Sequence, residues 1–220
     1  MNNISSKNSD LARIAFFNER AHKWLDMWYK DPDTGRHDRF TEKFERLFSF
    51  VPISSGDHVL DAGCGSGVLV PHFLERIGES GILYELDFAE RMIEVNRELH
   101  KDKRIRFLTA NILDIPLKPE SCDVIICFSC FPHFGQKGKA MESIANKLKQ
   151  NGRFAVAHFD SSDKLNNHHR KAGGPVEHDM LPSREKMFSL CEDAGMSVKE
   201  FIDEEGFYLI LAKKQKDLNT

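Results

Sequence analysis

The chain has 220 residues, 40% of them hydrophobic, and sets 31 Lys+Arg against 34 Asp+Glu for a formal net charge of -3. That length and composition sustain one substantial core, so a single domain over 1–220 is expected. The balance holds no basic excess for nucleic acid, no apolar run nears the roughly 20 residues of a bilayer span, and the polar Met1–Asp10 stretch does not read as a signal, which together point to the cytoplasm.

Residues 1–50 read as a helical amino-terminal cap. Phe16, Phe17 and Trp24, and then Phe40 to Phe50, place aromatic residues at near-helical spacing on either side of the turn-forming Asp31-Pro32-Asp33-Thr34-Gly35. Such helices pack aromatics on a sheet, and Phe17, Trp24 and Trp28 can also wall an apolar pocket. The core, 51–160, opens with His58-Val59-Leu60-Asp61-Ala62-Gly63-Cys64-Gly65-Ser66-Gly67, an apolar strand that ends in an acid and three alternating glycines. Glycines there allow a tight turn and let a ligand lie against main-chain N–H groups. The dinucleotide fingerprint is Gly-x-Gly-x-x-Gly, so the Gly-x-Gly-x-Gly spacing favours a ligand without phosphates over a dehydrogenase cofactor.

Gly81 to Asp87 predicts a second strand ending in an acid able to hold two ribose hydroxyls, followed by an amphipathic helix over Ala89–His100. Ile105–Leu108 is a third strand that leads to Asn111-Ile112. Asp123–Phe128 is continuously apolar after its acid, as a strand buried on both faces should be. These segments resemble the class I S-adenosylmethionine-dependent methyltransferases, in particular the ubiquinone/menaquinone-biosynthesis-like branch. The resemblance is close over Val59–Phe159 and looser elsewhere. It implies an α/β, Rossmann-like seven-stranded sheet, mostly parallel with an antiparallel last strand and helices on both faces. It further implies S-adenosyl-L-methionine as cofactor and a small-molecule methyl acceptor, handled by a monomer or homodimer.

Carried over residue by residue, the resemblance places the methionine part of the cofactor on Asp61, Gly63 and Gly65, the ribose on Asp87 with Glu85 as the fallback, and the adenine on Asn111 and Ile112. The family usually has Asp where Asn111 stands, and an amide oxygen is a weaker acceptor. Phe128 ends the fourth strand beside the cofactor. His133, in Phe128-Ser129-Cys130-Phe131-Pro132-His133, and His158, at the end of a fifth strand Phe154–Phe159, are the expected general bases, with Asp160 nearby.

Lys137–Gln150 predicts a helix capped by Asn151-Gly152. Residues 161–182 form an expected histidine-rich loop with a fixed turn at Gly173-Gly174-Pro175. If His158, His168, His169 and His178 converge there, with Asp160 or Asp179, they could hold a divalent metal; otherwise they are solvated or touch substrate. Ser183 caps a helix in the 183–220 segment, and Val198–Ile202 and Phe207–Leu211 form a closing hairpin. Five cysteines, an odd count, argue for reduced thiols. Cys127-x-x-Cys130 reads as core rather than redox site because strand alternation should point its thiols apart, and Cys64 should pack beneath the cofactor. A non-catalytic cofactor-binding protein would keep the same glycine turn.

Overall fold

A computed structural model describes residues 2–215; Met1 and residues 216–220 of the expected closing segment lie outside the described residues. The chain begins with α1 (Asn2–Arg20), a single 3-10 turn, and α2 (Trp24–Trp28), then α3 (Thr41–Phe50). The alternating part follows as β1 (His58–Ala62), α4 (Val70–Ile77), β2 (Ile82–Asp87), α5 (Glu90–Leu99), β3 (Ile105–Thr109), β4 (Cys122–Phe128), α6 (Lys137–Lys147) and β5 (Leu148–His158). It closes with α7 (Ser162–Ala172), α8 (Arg184–Asp193), β6 (Met196–Glu204) and β7 (Phe207–Lys214).

Among the described residues the seven strands form one sheet in the order β3-β2-β1-β4-β5-β7-β6. Pairs from β3 through β5 are parallel, and β7 runs antiparallel to both β5 and β6. The order reverses between β1 and β4, and ligands of open α/β sheets bind outside the strand carboxyl ends at such a switch. Val124–Phe128 of β4 are buried without interruption, as a strand covered on both faces requires. One core cluster lies beneath α6 and α8, with Leu60, Ile125, Phe154 and Tyr208; a second lies beneath α3 and α4, with Val59, Phe73, Ile126 and Leu209; a third, with Phe17, Ala21, Met92 and Val176, joins α1 to α5.

Two expected segments differ. The helix after β4 stops at Lys147 rather than Gln150, and Leu148–Gln150 extend β5, whose pairing with β4 shifts between Cys122 and Val124. Asn151 takes a left-handed turn, φ 63°, inside that irregular stretch instead of capping the helix. The 161–182 segment is not a loop. Ser161 caps its first turn by accepting from the Lys164 N–H, α7 runs to Ala172, and Gly173 stops it at φ 65°. Ser183 caps α8 in the same way through the Lys186 N–H.

Candidate active site

At the β1/β4 switch lies a cavity of about 450 Å³, lined from α1, α2 and the carboxyl ends of β1, β2 and β4. The glycine turn forms its floor. Gly63 and Cys64 both donate their N–H to the Leu86 carbonyl at 2.7 and 3.0 Å, locking the turn onto β2. Gly63 sits at φ 79°, and a Cβ there would lie 2.6 Å from the Cys130 Cβ, so both its conformation and its packing demand glycine. Gly65, at φ 54°, faces the cavity with the Trp24 indole as the nearest atoms a Cβ would meet, at 3.5 Å.

Three buried carboxylates underlie this turn. Asp61 is 1% exposed, and its Oδ1 has no hydrogen-bond partner among the described residues. Burial and the neighbouring Asp87 charge push its carboxyl well above the usual range. Asp87 accepts from the Gly65 N–H at 3.0 Å and the Ala89 N–H at 2.8 Å. Burial raises it to about 6, against the lowering effect of those N–H groups. Glu85, the fallback to Asp87, is buried below, bonded to Asn96 Nδ2 at 2.6 Å and absent from the cavity wall. An acidic floor with an orphaned carboxylate oxygen suits a ligand carrying positive charge and hydroxyls, and opposes a pyrophosphate.

Asn111 and Ile112 line the next stretch of wall. The Asn111 Oδ1 already accepts from the Leu113 N–H at 3.0 Å, capping a 3-10 turn over Ile112–Asp114, so one lone pair of its oxygen remains for a further donor. Opposite, Phe17, Trp24, Tyr29 and Phe128 enclose an aromatic compartment, with the Phe17 and Trp24 rings edge-on at 5.6 Å. Trp28, the third expected wall residue, is instead 40% exposed, because the short α2 turns it outward against His168.

The expected histidines part company. His133 lines the cavity, with its ring edge-on to Phe17 at 5.1 Å and its Nδ1 2.9 Å from Asp179 Oδ2. His158 does not line it. Alternation along β5 sends His158 to the face shared with Phe154 and Val156, where it packs beside Tyr208 with an unpartnered Nε2 and is driven by burial down to about 3. Asp160 pairs with Lys164 at 2.6 Å. His169 is buried and bonds the Asp179 carbonyl, His168 lies on Trp28, and His178 is exposed. The four proposed metal ligands therefore do not gather. Among the described residues no group of three or more His, Cys, Asp or Glu side chains is placed to hold a metal ion.

All five cysteines are free thiols. Cys130 donates to the Ala62 carbonyl at 2.8 Å, and burial pushes its thiol well up, as it does that of Cys64 on the cavity floor. The expectation that Cys127 points away from Cys130 is not met, since both pack in the same cluster.

Sequence reasoning missed Tyr29 and Arg13 on the wall. Arg13 had a signal. It stands four residues before Phe17 and eight before Ala21 on the inward stripe of α1, a charge where an apolar residue would pack, and it is only 9% exposed.

This sheet order, with an acidic glycine turn at its switch point, is that of the class I S-adenosylmethionine-dependent methyltransferases. The chain belongs to that family: a methyltransferase domain model matches residues 53–211. Over 108 residues it is 31% identical to a ubiquinone/menaquinone biosynthesis C-methyltransferase of Vibrio vulnificus, a match covering 47% of this chain and 42% of that protein, so less than half the length of that relative is matched. An O-methyltransferase of Aspergillus nomiae is 26% identical over 191 residues, 82% of this chain and 80% of that one. The fold superimposes on a Haloferax volcanii methyltransferase solved with the Trm112 methyltransferase activator, with TM-score 0.74, 20% identity, and 91% and 98% of the two chains covered. It also superimposes on an S-adenosylmethionine-dependent methyltransferase of Aquifex aeolicus, with TM-score 0.70, 22% identity, and 89% and 97% covered.

Proposed function

We propose that the protein transfers the methyl group of S-adenosylmethionine to a small aromatic or enolic acceptor bearing an ionisable hydroxyl, with His133 as general base. One observation carries the reading. The same cavity that begins at the acidic glycine turn ends in a compartment of Phe17, Trp24, Tyr29 and Phe128, with the His133 imidazole on its wall. The buried Asp61 oxygen and the glycine at 65 fit the cofactor's cationic methionine end, and Asp87 fits its ribose. When bound, that cofactor supplies an already activated methyl group, which leaves alignment, dryness and a proton for the protein to manage.

The chain's own groups match those tasks. Aromatic faces hold a planar acceptor and keep water out. His133 takes the hydroxyl proton as the acceptor becomes nucleophilic. The names of the relatives, quinone C-methyltransferases and a fungal O-methyltransferase, favour a small ring-bearing acceptor of this kind. Metal-assisted transfer has no support from the geometry of the histidines.

Titration calorimetry and transfer of radiolabelled methyl test the reading. Wild type should bind S-adenosylmethionine, and Gly65→Arg, which fills the cavity floor, should lose binding at least about 100-fold while keeping its circular dichroism. His133→Gln should lower turnover on hydroxylated naphthalenes and quinols by about 100-fold or more with cofactor affinity unchanged. Equal cofactor affinity in wild type and Gly65→Arg refutes the cofactor placement; wild-type turnover in His133→Gln refutes the base.

A further inference from the structure

We propose that Asp179 is the positioning residue that fixes the tautomer of His133, and that Arg13 of α1 holds Asp179 in place, so that a competent base exists only while the amino-terminal helix is docked. The inference rests on the reading of His133 as the base and adds the machinery that makes it one.

His133 ends the 3-10 turn Phe131–His133 just after β4, whereas Asp179 follows the turn after α7. An ionised carboxylate only accepts hydrogen bonds. The ring nitrogen facing it, Nδ1 at 2.9 Å from Oδ2, must therefore carry the hydrogen, and Nε2 is left with the lone pair a base needs. Free imidazole has no such constraint. The ring plane is fixed as well, between Phe17 at 5.1 Å and His169 at 5.0 Å.

The carboxylate is in turn clamped. Arg13, 166 residues away in sequence, donates from Nε to Oδ2 at 2.9 Å and from Nη2 to Oδ1 at 2.5 Å, a forked contact from the inward stripe of α1. Asp10 takes a further guanidinium contact at 3.3 Å. Asp179 is 3% exposed, and burial alone would favour its neutral form; the hydrogen bonds from His133 and Arg13 reverse that and hold it at about 2. It thus stays an acceptor throughout any workable assay range. His169 bonds the backbone carbonyl of the same residue, which fixes the segment from its other side. Nothing in this chain of contacts requires Asp179 to touch the acceptor. Its action passes through the His133 ring.

A buried ion pair that only pinned α1 would leave the His133 tautomer free, and that separates the two roles. The test uses the 15N-labelled full chain with S-adenosylhomocysteine, reading long-range proton–nitrogen couplings of the histidine rings at alkaline pH, with His133 assigned by its loss in His133→Gln. Wild-type His133 should carry its proton on Nδ1. In Asp179→Asn, whose amide can donate as well as accept, the Nε2–H form should rise to at least an equal population, and Arg13→Gln should shift the ratio in the same direction. A wild-type ring protonated on Nε2 overturns the proposal outright, without any variant. An unchanged ratio in Asp179→Asn overturns the role of Asp179, and one in Arg13→Gln overturns that of Arg13. Should Asp179→Asn fail to fold once the Arg13 guanidinium loses its buried carboxylate, the double variant Arg13→Gln/Asp179→Asn removes both charges and gives the same reading. Cofactor-product binding is monitored in the same samples: its loss in wild type counts against the proposed function, whereas a wrong tautomer with binding intact counts only against this inference.

Discussion

Asp87 should make cofactor affinity depend on pH in a window where an ordinary aspartate would be silent. Its carboxyl is raised to about 6 by burial, and its oxygens already hold the Gly65 and Ala89 N–H groups. Two ribose hydroxyls and a nearby cation both favour the ionised form, so binding selects the carboxylate. The sign follows: affinity is full above the raised pKa and falls as pH drops through it. With a midpoint near 6, roughly a tenth of Asp87 is ionised at pH 5 and nearly all at pH 7.5, so affinity should weaken about tenfold, or about 1.4 kcal/mol, across that interval. The cofactor's own carboxylate and sulfonium keep their charges over that interval. Calorimetry in buffers of differing ionisation enthalpy checks both the affinity and the proton count, with close to one proton released on binding at pH 5. Asp61 shares the acidic floor and can add to the release, so Asp87→Asn is the control. It should bind more weakly than wild type at pH 7.5 and lose most of the pH dependence between 5 and 7.5. Affinity in wild type that stays flat over this range, or an Asn variant that keeps the full slope, would refute the placement of the ribose on Asp87.

Asn111→Asp should preserve or tighten cofactor binding, because a carboxylate can keep the Leu113 N–H cap and is the stronger acceptor for an adenine amine; calorimetry showing lost affinity would mean the amide N–H is the group in use. Gly63→Ala should destabilise the fold by about 2 to 5 kcal/mol, adding about 1 to 2 for a side chain in a left-handed conformation to about 1 to 3 for overpacking against Cys130. Urea unfolding reads this directly, and Cys130→Gly in the same chain should recover the overpacking part; a Gly63→Ala protein as stable as wild type contradicts the packing argument.

How much was legible in the sequence follows from which interactions are local. The strand-acid-glycine run at 58–67 carries its own geometry, since only glycine tolerates φ 79° at position 63 with Cys130 pressed against it, and so the glycine turn that floors the cavity could be read in advance. The buried strand β4 announces itself by its apolar run. The α7 segment did not, because its helix is polar: it buries His169 and little else, and a periodicity search sees histidines and charges where it wants an apolar stripe. His158 was misplaced for a related reason. Being at a strand end beside the site says nothing about which face the side chain takes, and alternation turned it into the core beside Tyr208, off the cavity wall. The Arg13–Asp179–His133 contact joins three segments far apart in the chain, and no local pattern encodes it.

That contact changes what the amino-terminal helices are for. Were α1 and α2 only a cover for apolar surface, their inward stripe would have no use for a guanidinium, and burying one against Asp179 costs desolvation that well-packed aliphatic side chains would avoid. The same helices reach both halves of the site. Trp24 stands over the Gly65 backbone, the Ala21 carbonyl accepts from the Ser66 hydroxyl at 3.2 Å, and Phe17 and Arg13 meet His133 and its carboxylate. If α1 and α2 part from the sheet to admit ligands to the cavity they help wall, Arg13 leaves Asp179 with them, and the carboxylate facing His133 loses its clamp. In the docked arrangement the Phe17 and Trp24 rings and the Arg13–Asp179 pair are in place together. On the proposal above, His133 would be a competent base only with these helices docked, and the buried ion pair is better explained as tying the base to that arrangement than as a source of stability.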